Sequence, residues 1–206
     1  MKTPLILGVL GSGKGSNFHA IMDRIQAGRL NARVSLVISD VPDAGILKLA
    51  HDFRVPALCV RPGKFRTKLE PEIEAEVVRR LQEAGVELVV LAGFMRLVKA
   101  PLLQAFPRRI INVHPSLLPK YPGLEAWKQA LAAGETLTGC TVHHVDAGMD
   151  TGEIIAQRQV RVLPGDTPAS LHARIQAAEH ALLPDVIARL AEERHTAGTA
   201  GTAGTA

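Results

Sequence analysis

The fold class is predicted from the segment Leu5-Ile-Leu-Gly-Val-Leu-Gly-Ser-Gly-Lys-Gly-Ser-Asn17. It begins with an apolar run of strand length and ends in a glycine-rich loop. The residues after the loop place apolar side chains at helical spacing, at Phe18, Ile21, Met22 and Ile25. A strand, a glycine-rich turn and a helix in this order are typical of the crossover unit of a parallel sheet.

The same alternation of strand-like and helix-like segments continues along the chain. Further strands are predicted at 34–39, 57–60, 88–92, 110–113, 138–145 and 154–162. Further helices are predicted at 44–53, 70–84, 101–106, 125–133 and 168 to about 194. No helix separates the last two strands, so we expect an antiparallel pair at one edge. The predicted fold class is therefore α/β: a mostly parallel, twisted, Rossmann-like sheet with helices on both faces and a long C-terminal helix.

Length and composition indicate one domain. The chain has 206 residues, of which 47% are hydrophobic and only 3% aromatic, so aliphatic residues must build the core. Such a core suits a parallel sheet that is buried on both faces. We predict a single domain over residues 1–194. Residues 195–206 repeat Thr-Ala-Gly units that carry no core-forming side chains, which predicts a disordered low-complexity tail.

Charge and hydropathy argue against several classes of protein. Lys and Arg number 24 and Asp and Glu number 20, and the net charge of +4 is spread without a dense basic block. This pattern does not favour a nucleic-acid partner and weakly favours a small anionic substrate. Signal-peptide features are absent from the N-terminal segment, and no apolar run reaches about 18 residues. We therefore expect a cytoplasmic protein that does not enter a membrane.

Three chemically unusual segments directly follow predicted strands. They are residues 11–17, residues 93–96 and the Asn112-Val-His114 strand end. In an open parallel sheet, ligands bind beyond the carboxyl ends of the strands. The sequence therefore predicts one crevice that all three segments line.

The glycine-rich loop predicts an anion site at the start of a helix. Two nucleotide-binding patterns fail narrowly. Gly8 to Lys14 begins a P-loop, but Gly15 has no hydroxyl for magnesium. Gly11 and Gly13 begin a dinucleotide fingerprint, but its third glycine is replaced by Ser16. A generic phosphate loop remains, in which Ser16 is also a candidate helix N-cap.

Asn112 and His114 are candidates for acyl-transfer chemistry. Strand side chains alternate, so both point to the same side, where the amide and the imidazole can stabilise an oxyanion. A lone histidine at a strand end is more often structural, and on spacing alone Asp150 is best explained as a turn residue. His143 and His144 face opposite ways on a strand, so we expect no metal site there and expect one of the two to be exposed.

A longer motif identifies a family. Asn112-Val-His-Pro-Ser-Leu-Leu-Pro-Lys-Tyr-Pro-Gly123 resembles the signature segment of the folate-dependent phosphoribosylglycinamide formyltransferases. Four other segments resemble the family in the right order: 13–17, 91–96, 150–152 and 176–180. The resemblance covers about residues 5 to 190, which is nearly the whole chain.

The resemblance implies a role for each matching residue. The catalytic residues would be Asn112, His114 and Asp150. The substrate phosphate and ribose would be bound by Gly15, Ser16, Asn17 and Glu179. The folate would be bound, largely through backbone groups, by Lys68, Met95, Arg96, Leu97, Val98, Val145, Asp146, Ala147, Gly148 and Met149.

The resemblance also implies an activity. The formyl group of 10-formyltetrahydrofolate would pass directly to the amine of phosphoribosylglycinamide in de novo purine synthesis, without a metal. Both partners are small molecules, and the protein would be a monomer or a homodimer. Two alternatives stay open: a formyltetrahydrofolate hydrolase on the same fold, and a non-catalytic phosphate- or folate-binding module.

Overall fold

Seven strands and six helices make up the part of the chain that the computed structural model describes, residues 3–61 and 63–200, with side chains through residue 196. The strands are β1 (Leu5–Leu10), β2 (Ala32–Ser39), β3 (Ala57–Cys59), β4 (Leu88–Leu91), β5 (Ile110–His114), β6 (Leu137–His144) and β7 (Ile154–Arg161). The helices are α1 (Ser16–Gln26), α2 (Gly45–Asp52), α3 (Pro71–Glu83), α4 (Ala100–Ala105), α5 (Ala126–Ala132) and α6 (Pro168–Ala200).

All seven strands belong to one sheet with the order β3-β2-β1-β4-β5-β6-β7. The first five strands run parallel, whereas β6 is antiparallel to both β5 and β7. This confirms the predicted mostly parallel sheet and its antiparallel edge. The strand order reverses between β1 and β4, and the carboxyl ends of these two neighbours form the switch point at which such sheets bind ligands.

Alternation along the strands supplies a hydrophobic core on each face of the sheet. Val90 of β4 belongs to the core under α1, α2, α5 and α6, whereas its neighbours Val89 and Leu91 belong to the core under α3 and α4. Phe18 and Ile175 are fully buried in the first core, and Leu81 is fully buried in the second. The aliphatic composition therefore fills two layers, as expected for a sheet that is covered on both faces.

Helix α6 is longer than the sequence pattern predicts. It continues through Ala200, so residues 195–200 of the predicted tail are helical, while residues 201–206 lie outside the described residues. Each added residue forms one further backbone hydrogen bond once a helix exists, which lets it extend beyond its packed part. Within residues 3–61 and 63–200, no helix combines the length and the apolar character needed to cross a bilayer.

Candidate active site

The three segments predicted to share a crevice meet at the carboxyl end of the sheet. The N–H of Ser12, after β1, donates to the carbonyl of Gly93, after β4, at 3.0 Å. Strand β5 pairs with β4 so that Asn112 lies beside Leu91. Two adjacent strand ends and a third beside them therefore bring the glycine-rich loop, the loop after β4 and the end of β5 together.

The side chains of Asn112, His114 and Asp150 are in mutual reach. Asp150 Oδ2 lies 3.3 Å from Nδ1 of His114, and Asp150 Oδ1 accepts a hydrogen bond of 3.3 Å from Nδ2 of Asn112. Asp150 itself adopts a left-handed backbone conformation with φ of 55°. Non-glycine residues are uncommon there, although Asp tolerates the conformation better than most, and such strain is often found at functional sites.

Both ring nitrogens of His114 face acceptors. Nε2 lies 2.8 Å from the carbonyl oxygen of Tyr121, while Nδ1 faces Asp150. Burial lowers the pKa of His114 below its ordinary value; the charge of Asp150 and the Tyr121 carbonyl oppose this shift only in part. The geometry suits an imidazolium and the burial favours the neutral ring, so a small change in nearby charge can move the proton.

Asp150 is held as a carboxylate by several partners. Burial alone would raise the pKa of Asp150, but the neighbouring His143, the charge of His114 and the N–H of Gly123 together lower that pKa below its ordinary value. The Gly123 N–H donates to Oδ2 at 2.8 Å. The signature segment, to which Gly123 belongs, therefore binds the same carboxylate as the histidine of β5.

His143 is a site residue that the sequence argument missed. It lies opposite Asn112 on the antiparallel strand β6, and its Nε2 is 3.2 Å from Asn112 Nδ2. Its Nδ1 lies 2.7 Å from the carbonyl of His144, so Nδ1 donates and Nε2 is the acceptor for the amide. The expectation that one of these two histidines is exposed is wrong, because His143 is buried and His144 is half-buried. The strand register between β5 and β6, which pairs His143 with Asn112, is the signal that could have found it.

The glycine-rich loop ends at the first turn of α1. Gly15 is the N-cap, with φ of 83°, and a Cβ there would lie 2.8 Å from the Cα of Ile46. Glycine is therefore required both by conformation and by close packing. The proposed N-cap role of Ser16 is wrong, since Ser16 is already the first helical residue. The start of the helix presents its N–H groups beside the loop, as an anion site requires.

Asn17 and Glu179 form a buried polar pair next to that helix end. Asn17 Nδ2 donates to Glu179 Oε2 at 2.9 Å, although the two residues are 162 positions apart in sequence. Burial raises the pKa of Glu179 to about 7, and the hydrogen bond from Asn17 opposes this only in part. The Oδ1 atom of Asn17 is buried and accepts no hydrogen bond from any described residue. The pair thus offers a carboxyl group and an unused acceptor to a ligand with hydroxyl donors.

A mostly cationic cleft adjoins the same helix end. Its volume is about 520 Å³, and its polar lining is Lys14, Ser16, His19, Asp23, Arg24, Arg29 and His180. Asp23 is the one acidic group in this lining, and it lies 3.0 Å from His19. The surroundings of the loop are therefore electropositive, which suits a phosphate group.

The residues predicted to bind folate fall into three segments with different exposure. Met95 and Met149 are largely exposed, whereas the side chain of Val98 is buried in the core beneath α3 and α4. Lys68 forms a parallel backbone bridge with Leu97, and its Nζ lies 4.6 Å from the ring centre of Phe65. Residues around Lys68 thus add a short extended segment to the loop after β4.

The loop between β6 and β7 is closed by one of its own carboxylates. Asp146 Oδ1 accepts hydrogen bonds from the N–H of Gly148 at 3.0 Å and from the Thr151 hydroxyl at 2.7 Å. At its start, the N–H of Val145 donates to the carbonyl of Ile110 at 2.9 Å. The loop is therefore anchored to β5 and leads directly into Asp150. Ala147 and Met149 are exposed on it.

Comparisons of sequence and of structure both relate the chain to formyltransferases. A protein-family model described as formyl transferase matches residues 7–187. The phosphoribosylglycinamide formyltransferase of Bacillus subtilis (strain 168) is 42% identical over 182 residues, which cover 88% of this chain and 92% of that protein. Glycinamide ribonucleotide transformylase 1 from Symbiobacterium toebii superimposes with a TM-score of 0.89 at 48% identity, covering 94% of this chain and 91% of its own. For phosphoribosylglycinamide formyltransferase from Bacillus halodurans the TM-score is 0.85 at 42% identity, with 90% and 94% covered. The chain therefore belongs to the formyl transferase family and, within it, to the phosphoribosylglycinamide formyltransferases.

Proposed function

We propose that this protein transfers the formyl group of 10-formyltetrahydrofolate to the primary amine of phosphoribosylglycinamide, a step of de novo purine synthesis. One observation carries the proposal: the Asn112 amide and the His114 imidazole both contact the carboxylate of Asp150. The chain that holds these three residues also belongs to this family. An amide donor, a titratable imidazole and a carboxylate are the groups that direct acyl transfer to an amine requires.

The phosphate end of the amine substrate binds at the start of α1. Gly15, Ser16 and Asn17 supply N–H groups there, and the electropositive cleft beside Lys14 attracts the dianion. Glu179 and the unused Oδ1 of Asn17 accept hydrogen bonds from the ribose hydroxyls. This arrangement directs the glycinamide arm along the sheet edge towards Asn112.

The folate donor binds between the loop after β4 and the loop before Asp150. Backbone groups of residues 95–98 and 145–149 pair with the polar edge of the pterin. The exposed side chains of Met95 and Met149 offer apolar contact to its ring system. The backbone of Lys68 pairs with that of Leu97, which places the lysine beside the loop after β4. Its positive charge attracts the anionic tail of the folate.

The amine nitrogen attacks the formyl carbon, and the carbonyl π electrons move onto oxygen to give a tetrahedral oxyanion. Asn112 donates to this oxygen with the amide hydrogen that otherwise makes the long 3.3 Å contact with Asp150. His114 takes a proton from solvent before the attack, and Asp150 at its Nδ1 stabilises the resulting imidazolium, whose positive charge then stabilises the developing oxyanion. Stabilisation that appears only as charge develops lowers the barrier, whereas equal binding of ground and transition states does not.

The proton balance is completed through Asp150. The attacking nitrogen becomes an ammonium on bond formation, and its proton must reach the folate nitrogen before the carbon–nitrogen bond to the folate breaks. The lowered pKa of Asp150 keeps this group ionised, so that it can accept the proton and pass it on, directly or through a water molecule. The oxyanion then collapses to the new formamide, and tetrahydrofolate leaves.

A direct assay separates this function from its alternatives. Purified protein is mixed with 10-formyltetrahydrofolate and phosphoribosylglycinamide, and ultraviolet absorbance follows loss of the formyl group. We expect deformylation only when the amine substrate is present, together with a formylated product in mass spectra. Deformylation at the same rate without the amine would identify a hydrolase, and binding without turnover would identify a non-catalytic module.

A further inference from the structure

A polar network joins three loops at the carboxyl end of the sheet. The Ser12 hydroxyl donates to Asp40 Oδ1 at 2.6 Å and accepts a hydrogen bond of 2.9 Å from the N–H of Met95. Arg96 Nε donates to Asp40 Oδ2 at 2.6 Å, and Arg96 Nη1 donates to the carbonyl of Phe65. We call these groups the Asp40 network. Both oxygens of its carboxylate are used, each by a different loop.

Burial makes this network a rigid anchor. The side chain of Asp40 is 2% exposed and that of Arg96 is 12% exposed. Asp40 directly follows β2, the neighbour of β1 in the sheet, so its backbone is fixed by the strand. Removing one partner of such a pair leaves a buried charge without compensation, which costs far more than the loss of an exposed ion pair.

The network fixes the backbone of the loop after β4 on both sides of Arg96. Ser12 binds the N–H of Met95, and the N–H of Leu97 donates to the carbonyl of Thr67 at 2.8 Å. The guanidinium of Arg96 binds both Asp40 and the carbonyl of Phe65, so this side chain holds the two segments together. Phe65 and Met95, both well exposed, then stand on neighbouring segments as apolar walls.

We propose that Asp40 is a positioning residue for the folate donor. Acting through Ser12 and Arg96, it sets the conformation of residues 95–98 and 65–68 that receives the pterin and the aromatic ring attached to it. The inference rests on the proposed function and adds to it a residue just after β2, outside every segment assigned to ligand binding above.

The phosphate side of the crevice is held by other contacts. The N–H of Ile46 donates to the carbonyl of Gly13 at 3.0 Å, and the N–H of His19 donates to the carbonyl of Gly15 at 2.9 Å. Close packing of Gly15 on Ile46 adds to these bonds. Loss of Asp40 should therefore disturb folate binding and leave the phosphate subsite in place, a selectivity that general destabilisation does not produce.

The test compares Asp40→Ala and Asp40→Asn with the wild type and with Asp43→Asn, a matched control at an exposed aspartate three residues further on. Steady-state kinetics give kcat and the KM of each substrate, and calorimetric titration with tetrahydrofolate gives binding without turnover. We expect Asp40→Ala to raise the folate KM and the tetrahydrofolate Kd by about 10-fold or more, because small misplacements of binding groups are costly. The KM for phosphoribosylglycinamide should stay within about threefold.

The remaining variants make the outcome unambiguous. Asp40→Asn, which keeps the shape but not the charge, should give a smaller loss in the same direction, and Asp43→Asn should match the wild type. Should Asp40→Ala fail to fold, Asp40→Asn carries the same comparison. Unchanged folate binding, or equal changes in both KM values, overturns the role of Asp40 alone. A wild type that neither binds tetrahydrofolate nor transfers formyl groups overturns the proposed function as well.

Discussion

Asp150 connects the other residues of the candidate active site. Its two carboxylate oxygens contact the amide of Asn112, the imidazole of His114 and the N–H of Gly123, and Oδ1 also lies 3.6 Å from His143 Nε2. A single carboxylate therefore orients the Asn112 amide and favours the charged form of the His114 imidazole. Changing its charge without changing its shape tests both effects together.

We predict that Asp150→Asn lowers kcat by roughly 10³-fold, within the range for loss of a group that transfers protons. It should also lower the pKa of His114 further, because Asp150 is the strongest of the groups that raise it. The two measurements are steady-state kinetics and an NMR titration of the His114 ring protons, with exposed His51 as internal reference. A variant with normal turnover, or with an unshifted His114 titration, would contradict the role given to Asp150.

His143 shows what the sequence could and could not predict at this scale. Asn112, His114 and Asp150 are predicted from the sequence because they lie in motifs that resemble a family, and the structure brings them into mutual reach. His143 and Asp40 act through partners that are distant in sequence, so their roles depend on the register of β5 with β6 and on the meeting of loops after β1, β2 and β4. Local patterns of residues do not contain that information.

We predict that His143→Gln lowers kcat by roughly 10- to 100-fold while the folate KM changes little. The acceptor that orients the Asn112 amide is displaced, and a misdirected oxyanion donor loses most of its effect. His144→Gln is the matched control, because His144 is adjacent but only half-buried and lies on the other side of the strand. Equal losses in the two variants would indicate disruption of β6 rather than loss of amide orientation.

The secondary-structure elements followed closely from periodicity. The predicted strands and helices match the observed bounds within two residues, apart from the end of α6. Apolar runs such as Leu88–Leu91 identify buried strands, and the glycines that follow helices mark their ends. Periodicity does not give the order of the strands in the sheet. That order depends on the connection between β3 and β4, which crosses the sheet and places β4 on the other side of β1.

The short helix α4 depends on a cap from another helix. The carboxylate of Glu74 in α3 is 2% exposed and accepts a hydrogen bond of 2.7 Å from the N–H of Lys99, the N-cap residue of α4. Burial raises the pKa of Glu74, while the N–H groups of Lys99 and Leu102 oppose this only in part. A six-residue helix gains little from its own turns, so an external acceptor matters more than usual.

We predict that Glu74→Ala lowers the free energy of unfolding by about 1–3 kcal/mol, since it leaves buried N–H groups without an acceptor. Glu74→Gln keeps an acceptor and should lose less. Urea unfolding measures both, with Glu72→Ala, at an exposed position in the first turn of α3, as the control. If the exposed variant is as destabilised as Glu74→Ala, loss of a negative charge from the first turn of α3 rather than loss of capping explains the change.

At the level of overall stability, the fold gives up free energy to keep a polar pair buried beside the start of α1. Glu179 is 5% exposed within the face of α6 that covers the first core, and its main partner is the uncharged Asn17. A charged group without a counter-charge at such a position is costly, and the chain responds by holding a proton there near neutral pH. The free energy of unfolding should therefore depend on pH in a way that reflects the titration of Glu179.

The direction of the pKa shift of Glu179 determines whether the free energy of unfolding rises or falls with pH. Burial raises the pKa of Glu179 to about 7 from its ordinary 4.5, so between these values the unfolded chain has lost the proton while the folded chain keeps it. Folding is then most favoured at low pH, and the free energy of unfolding falls as pH rises through this window, by roughly 3 kcal/mol in all. Below about pH 4.5 the carboxyl is protonated in both states and has no effect of this kind.

We predict that Glu179→Gln removes this component of the pH dependence. The difference in unfolding free energy between variant and wild type should be near zero at pH 4.5 and should grow to roughly 3 kcal/mol in favour of the variant by pH 8. Urea unfolding across this range measures it, and subtraction cancels the histidines, whose lowered pKa values act in the opposite direction. Glu192→Gln, at an exposed position of the same helix, should show no such trend. A difference that is flat with pH would mean that Glu179 is ionised in the folded protein. The variant should meanwhile bind phosphoribosylglycinamide more weakly, because the amide has one acceptor oxygen in place of the carboxyl group to which the proposed function assigns the ribose hydroxyls.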